Sequence, residues 1–255
     1  MFRRNLITTI AAAALAAAVP VLTAADYPSK PIRFIVATAP GGGTDFVARL
    51  MGHKLAEALG QQVIVDNRPG AGSTLGYELG VRAAPDGYTF TMITPSYAIN
   101  PSLYSLRFDP LNDFTPVIPV ARGPYVVVVH PSLPVKTVQE LIALAKAGRL
   151  RALAVTTPER IAAEPDLPTV AESGVPGYEV TNWHGLIGPK GVPQAIVERL
   201  NSEMTKIIKL REMEDRLQAD GMSPAGGTPE QLYEQIRKEI EQWRQVVARA
   251  GIRIN

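Results

Sequence analysis

Apolar residues gather early in the chain into three runs of strand length: Ile32 to Ala37, Val63 to Asp66 and Tyr88 to Thr94. Between the first two, Phe46, Val47, Leu50, Met51, Leu55 and Leu59 recur at helical spacing, and Gly60 ends the pattern. Strand, helix and strand in this order predict a parallel crossover unit. Ligands of such units collect at the carboxyl ends of the strands, where Pro40 to Asp45 and Asn67 to Ser73 both fall.

Farther on, residues 95–113 are rich in Pro, Asn and Ser and read as loop. The run Val126 to Val129 lacks polar alternation, which predicts a strand covered on both faces. Thr137 and Glu140 form a capping-box signature for a helix from about Val138 to Ala147, followed by Gly148 and a strand from Leu150 to Thr156. The Pro- and Gly-rich residues 158–177 read as a surface excursion, and Tyr178 to Ile187 as extended chain. The remainder is helical. Pro193 precedes an apolar stripe of Ile196, Val197, Leu200, Met204 and Ile207, and Thr228, Pro229 and Gln231 open a last helix carrying Leu232, Ile236, Ile240, Trp243 and Val247. Trp243, on that stripe, is expected in the core.

The first strand and helix are joined by Ala39, Pro40, Gly41, Gly42, Gly43, Thr44 and Asp45. A glycine turn at the start of a helix leaves backbone N–H groups unpaired beside the positive end of the helix dipole, where a carboxylate or phosphate is held without a cationic side chain. Gly42, Gly43 and Thr44 are the expected donors. Asp45, in the first turn, has a plainer reading as a dipole-compensating residue. Asn67, Gly70, Ser73 and Ser96 stand at neighbouring strand ends as second-tier ligand contacts or as ordinary turn residues. Trp183, in a Gly-flanked segment, fits either a cleft wall or the core.

The chain opens with Arg3 and Arg4, an apolar stretch to Leu22 and small residues at Thr23, Ala24 and Ala25, the order of a secretory signal cut near Ala25. No later segment is long and apolar enough to span a bilayer. Removing residues 1–25 leaves 24 basic and 24 acidic residues, so the net charge of +2 falls to zero. A neutral chain gives little electrostatic reason to bind nucleic acid or an anionic membrane surface. With no cysteine, disulfides, thiolate nucleophiles and Cys-ligated zinc are excluded.

Most catalytic and cofactor signatures are missing. The triple glycine lacks the Gly-Lys-Ser/Thr ending of a nucleotide loop. Gly70, Gly72 and Gly76 have a dinucleotide-like spacing, but the next strand ends without the acidic ribose partner. His53, His130 and His184 are far apart and outside any metal-ligand pattern, so they read as surface or satisfied core histidines. No serine sits in a G-x-S-x-G elbow. The expectation is a receptor without cofactor or metal; an enzyme on an anionic metabolite would need Asp45 or His53 as its base.

The chain also resembles a family, the exported solute receptors of tripartite tricarboxylate transporters, often called Bug proteins. The matching phrases run from Tyr27-Pro-Ser-Lys-Pro-Ile-Arg33 through Ala39-Pro-Gly-Gly-Gly-Thr-Asp45, Asn67-Arg-Pro-Gly-Ala-Gly72, Ala84-Pro-Asp-Gly-Tyr88 and Asn100-Pro-Ser-Leu-Tyr104. They continue with Leu150-Arg-Ala-Leu-Ala-Val155, Asp166-Leu-Pro-Thr-Val-Ala-Glu172 and Gly226-Gly-Thr-Pro-Glu230. The resemblance implies an α/β, type II periplasmic-binding-protein fold with two lobes and parallel or mixed sheets. It further implies a monomer that closes on a small organic acid in the periplasm and delivers it to membrane permease subunits. A receptor that presents its loaded state to a sensor kinase is the alternative. Residues 26–123 and 185–255 would form the first lobe and 124–184 the second. The ligand carboxylate would lie against Ala39 to Asp45, and in relatives with amino-acid ligands Asp45 would face the ammonium.

One departure stands out. Family members carry several dozen further residues between the helix ending near Lys146 and the strand beginning near Leu150, including the second lobe's Ser/Gly loop. The join Ala145-Lys-Ala-Gly-Arg-Leu150 resembles the family on both sides of the missing portion. The second lobe is therefore expected to be truncated, and carboxylate affinity to be weak because closure cannot exclude water.

Overall fold

A computed structural model describes residues 27–127, 137, 154–161 and 165–252. The signal segment, the helix from Val138 and most of the strand from Leu150 lie outside the described residues.

The first crossover unit forms as the pattern predicts. Strand β1 (Ile32–Val36) leads through the glycine turn to α1 (Gly43–Leu59) and back to β2 (Val63–Asn67). Gly60 closes α1 in the left-handed conformation, its N–H donating to the Ala56 carbonyl. A helix the pattern did not predict, α2 (Thr74–Val81), follows, and then β3 (Thr89–Ile93). The glycines of α2 hide its periodicity, since Gly76 and Gly80 occupy the packed face. A Cβ on Gly76 would come within 2.7 Å of Ala37, and one on Gly80 would run into the Thr91 hydroxyl. Bare backbone is what lets α2 lie against the sheet.

Residues 95–113 are not wholly loop. They contain α3 (Pro95–Ile99) and a 3-10 turn at Asn100–Ser102. The larger omission is β4 (Phe114–Pro124), an 11-residue strand containing Pro116, Pro119 and Pro124. Proline removes ladder donors and so argues against a strand. The chain accommodates two of these prolines at register breaks against its partner, between Pro116 and Ile118 and between Pro119 and Ala121.

Short strands β5 (Val126–Val127) and β6 (Ala154–Val155) pair antiparallel apart from the main sheet, and Val155 bridges to Thr169. The chain returns as β7 (Thr181–Pro189), then α4 (Gln194–Ile208), α5 (Arg211–Ala219), β8 (Ser223–Pro224) and α6 (Pro229–Ala250). Helix α6 opens with the expected capping box, Thr228 accepting from the Gln231 amide and Gln231 accepting in return from the Thr228 amide.

The main sheet has the order β2-β1-β3-β7-β4-β8, with β1 parallel to β2 and β3, and β7 antiparallel to β3 and β4. One face carries Ile32, Phe34 and Val36 against Val47, Met51 and Leu55 of α1 and Ile196, Leu200 and Met204 of α4. The opposite face carries Ile93, Ile187 and Trp183 with Tyr77, Tyr97, Leu232 and Ile236. Trp243 corrects the expectation of a core position. Leu232 and Ile236 are the buried residues of α6, while Trp243 and Val247 on its outer half are half-buried. This is a mixed α/β fold in which the carboxyl ends of β1, β2 and β3 form one rim.

Candidate functional site

Gly42 caps α1 with extended backbone, φ −84° and ψ 169°, and no side chain accepts from the first turn. Among the described residues the N–H groups of Gly42, Gly43 and Thr44 meet no acceptor. Gly41, Gly42 and Gly43 are exposed, and a Cβ on any of them would find open space, at closest the Ala39 carbonyl 3.9 Å from Gly42. Neither Gly42 nor Gly43 is required for packing. What their missing side chains leave is room beside unpaired donors at the positive end of a 17-residue helix.

Gly41 differs. It sits at φ +86°, where a side chain is strained, and its N–H donates to Asp45 Oδ2 at 2.9 Å. Asp45 is 4% exposed and fully engaged: Arg49 reaches both oxygens at 3.0 and 2.9 Å, and Asn67 Nδ2 donates to Oδ1 at 3.0 Å. Burial, the largest single influence, pushes the Asp45 carboxyl up, but hydrogen bonds from Arg49, Gly41 and Asn67 outweigh it and hold the group below its ordinary value. Asp45 thus braces the turn from inside. Asn67 does the same from β2, since its amide also donates to the Thr38 carbonyl at 3.1 Å and its oxygen accepts from Arg49 at 3.0 Å.

The second loop is held in an unusual backbone path. Gly70, Ala71, Gly72 and Ser73 all have positive φ, at 139°, 47°, 61° and 78°. Two of these are not glycine, which marks stored strain of the kind found at binding loops. Asn100 Nδ2 holds the Gly72 carbonyl at 2.8 Å, and Ser73 N–H donates to the Gly70 carbonyl at 2.9 Å. At the end of β3 the hydroxyls of Tyr77, Thr94 and Ser96 form a cluster, with Tyr77 to Ser96 at 2.6 Å and Thr94 to Ser96 at 2.9 Å. The rim therefore brings together Ala39 to Asp45, Asn67, Gly70, Ser73 and Ser96. Sequence reading omitted Tyr77 and Thr94; the signal for Thr94 was its place at a strand end before Pro95.

Trp183 is not part of the open rim. It is 4% exposed on the α6 side of the sheet, and its indole Nε1 donates to Glu239 Oε2 at 2.9 Å. Of the cleft and core readings, the core one describes it. Among the described residues no cluster of three or more His, Asp or Glu could hold a metal ion, and no helix is long and apolar enough to cross a membrane.

Comparison with known proteins bears on the fold and the family. The sequence profile of the tripartite tricarboxylate transporter family receptor matches residues 47–148 and again 143–252. BugT of Bordetella pertussis (strain Tohama I) is 29% identical over 315 positions, covering 96% of this chain and 96% of BugT. A UPF0065 protein of Pseudomonas sp. (strain P51) is 28% identical over 322 positions, covering 99% of this chain and 96% of that one. Among solved structures, R. palustris Rpa4515 with adipate aligns with a TM-score of 0.81 and 29% identity, covering 90% of this chain and 100% of that one. The periplasmic binding protein BugD aligns with a TM-score of 0.79 and 25% identity, covering 89% and 100%. The alignment to the Pseudomonas protein spans 322 positions against 255 residues here, and residues 143–148 are matched twice. A stretch that relatives carry between the two matched segments is therefore missing, and the fold is of the periplasmic-binding kind with a truncated second lobe. With its two matches together covering most of its length, the chain belongs to the tripartite tricarboxylate transporter receptor family.

Proposed function

We propose that the chain is an exported, periplasmic, monomeric solute receptor that captures a small organic acid and hands it to the permease subunits of a tripartite transporter, without catalysis. The observation that carries this reading is the set of unpaired N–H groups at Gly42, Gly43 and Thr44, with free space beside the two glycines. These would cradle one carboxylate, with Gly70, Ser73 and Ser96 bounding the same rim. The adipate in the R. palustris relative supports a dicarboxylate as the ligand class.

In this reading residues 26–123 and 185–255 are the carboxylate-holding lobe and 124–184 the reduced second lobe. Capture is weak, with a dissociation constant of about 1 mM or higher, because a shortened lobe leaves the bound acid wet.

Calorimetric titration of the chain lacking residues 1–25 with adipate and with adipamide tests the proposal. Saturable binding of the acid and none of its neutral diamide is expected. Equal binding of both, or none of the acid at about 20 mM, roughly the weakest affinity such a cradle would give, contradicts it.

A further inference from the structure

His184 lies on β7 opposite Ala121 and is 1% exposed. Its Nδ1 is buried without a hydrogen-bond partner. A buried imidazole nitrogen without a hydrogen-bond partner is a costly arrangement in a finished fold. Its place in the sheet is specific. Leu186 and Gly188 face the α1 side, Gly188 against Phe90 and Val192, while Trp183, Gly185 and Ile187 face the α6 side. Strand alternation puts His184 on the α1 side.

The β3–β7 ladder ends at Ile93 opposite Gly185, so one step farther out His184 falls opposite Thr94, at the rim of the candidate site. A second orphan matches it. Thr38 Oγ1 is also buried without a partner, and Thr38 continues the α1-side series Phe34 and Val36 just past the end of β1. Tyr97 Oη, likewise unpartnered, lies on the opposite face of the sheet and takes no part. Two orphan polar groups thus flank the end of β3 on the face where α1 presents its unpaired amides. Strands β1 and β7 are two spacings apart, about 10 Å, a span suited to a short acid chain with a polar group at each end.

We propose that His184 is the specificity-determining residue for the distal end of the ligand. Its Nδ1–H donates to the second carboxylate of a dicarboxylic acid whose first carboxylate rests on Gly42, Gly43 and Thr44, with the Thr38 hydroxyl beside the connecting chain. This inference rests on the carboxylate-cradle reading above. It assigns a chemical class: acids with two anionic ends in preference to acids with one.

The test compares adipate with hexanoate, of equal chain length and one carboxylate fewer, on the chain without residues 1–25 and on its His184→Leu and His184→Asn variants. Binding is followed by amide chemical shifts. The native chain is expected to prefer adipate by about tenfold or more, the value of a hydrogen bond to a charged group. His184→Leu is expected to bring that preference to within about twofold with hexanoate affinity unchanged, and His184→Asn, which keeps a donor near the Nδ1 position, to retain part of it. A preference that survives His184→Leu overturns the inference, as does equal loss of both acids, which marks a structural residue. If the native chain binds both acids equally the cradle stands and only this inference falls. If it binds neither, both fall.

Discussion

The carboxylate of Asp45 reaches back four residues to accept the N–H of Gly41 at 2.9 Å. This bond removes Gly41 from the set of free donors and fixes the turn whose remaining amides stay open. Asp45→Ala would leave the Gly41 amide, Asn67 and Arg49 without their common partner, and a loss of about 1–3 kcal/mol in urea unfolding is expected. Because the Asp45 carboxyl is held below its ordinary value of 3.8, its contribution is present above that pH and is lost as pH falls through the lower folded value. Asp45→Asn should therefore flatten the acid limb of the stability profile below about pH 4.

Two adjacent glycines should behave differently. Gly41 at φ +86° needs the left-handed region, so Gly41→Ala should cost about 1–2 kcal/mol of stability. Gly42 has extended backbone and open space beyond, so Gly42→Leu should cost only the poorer N-cap, about 0.5–1 kcal/mol, while lowering adipate affinity about tenfold or more. Urea titration and calorimetry on the same samples separate the effects.

Helix α2 offers a packing test away from the site. Gly80→Ala drives a methyl into Thr91 on β3, and a loss of about 1–3 kcal/mol is expected, against the gain an alanine gives in an exposed helix. Thermal unfolding of Gly80→Ala beside a double variant with Thr91→Ala checks the cause, since the second change should restore much of the loss.

His184 sets a separate pH dependence. Burial lowers its pKa from 6.5 to about 4, so the folded chain resists the proton that the unfolded chain accepts. Stability is complete above the unfolded value and declines as pH falls from there toward the folded one, by about 2 kcal/mol between about pH 7.5 and pH 5. Urea unfolding of the native chain and of His184→Leu should show this decline only in the former.

Much of this arrangement was legible in residue order. The β1–turn–α1 unit declares itself because Phe46 to Leu59 keep helical period and Gly60 can end a helix. Strand β4 was hidden because Pro116, Pro119 and Pro124 mimic a loop, and only the partner β7 shows where the register gives way. Helix α2 was hidden because two of its four buried residues, Gly76 and Gly80, are glycines, which carry no apolar signal. At the site, glycines and strand ends point to the rim, but whether a polar side chain is consumed or free depends on neighbours distant in sequence. Asn67 and Asp45 turn out consumed by each other, whereas His184, unremarkable in its segment, turns out to lack a partner at Nδ1.

The central claim is that a carboxylate sits on the first amides of α1. Adding adipate to the isotope-labelled chain lacking residues 1–25 and following each amide resonance addresses it directly and tolerates weak affinity. Saturable downfield shifts of the Gly42, Gly43 and Thr44 N–H signals, with Gly41 little changed because its proton is already bonded to Asp45, are the expected result. Saturation that moves other amides and leaves these three in place would contradict it.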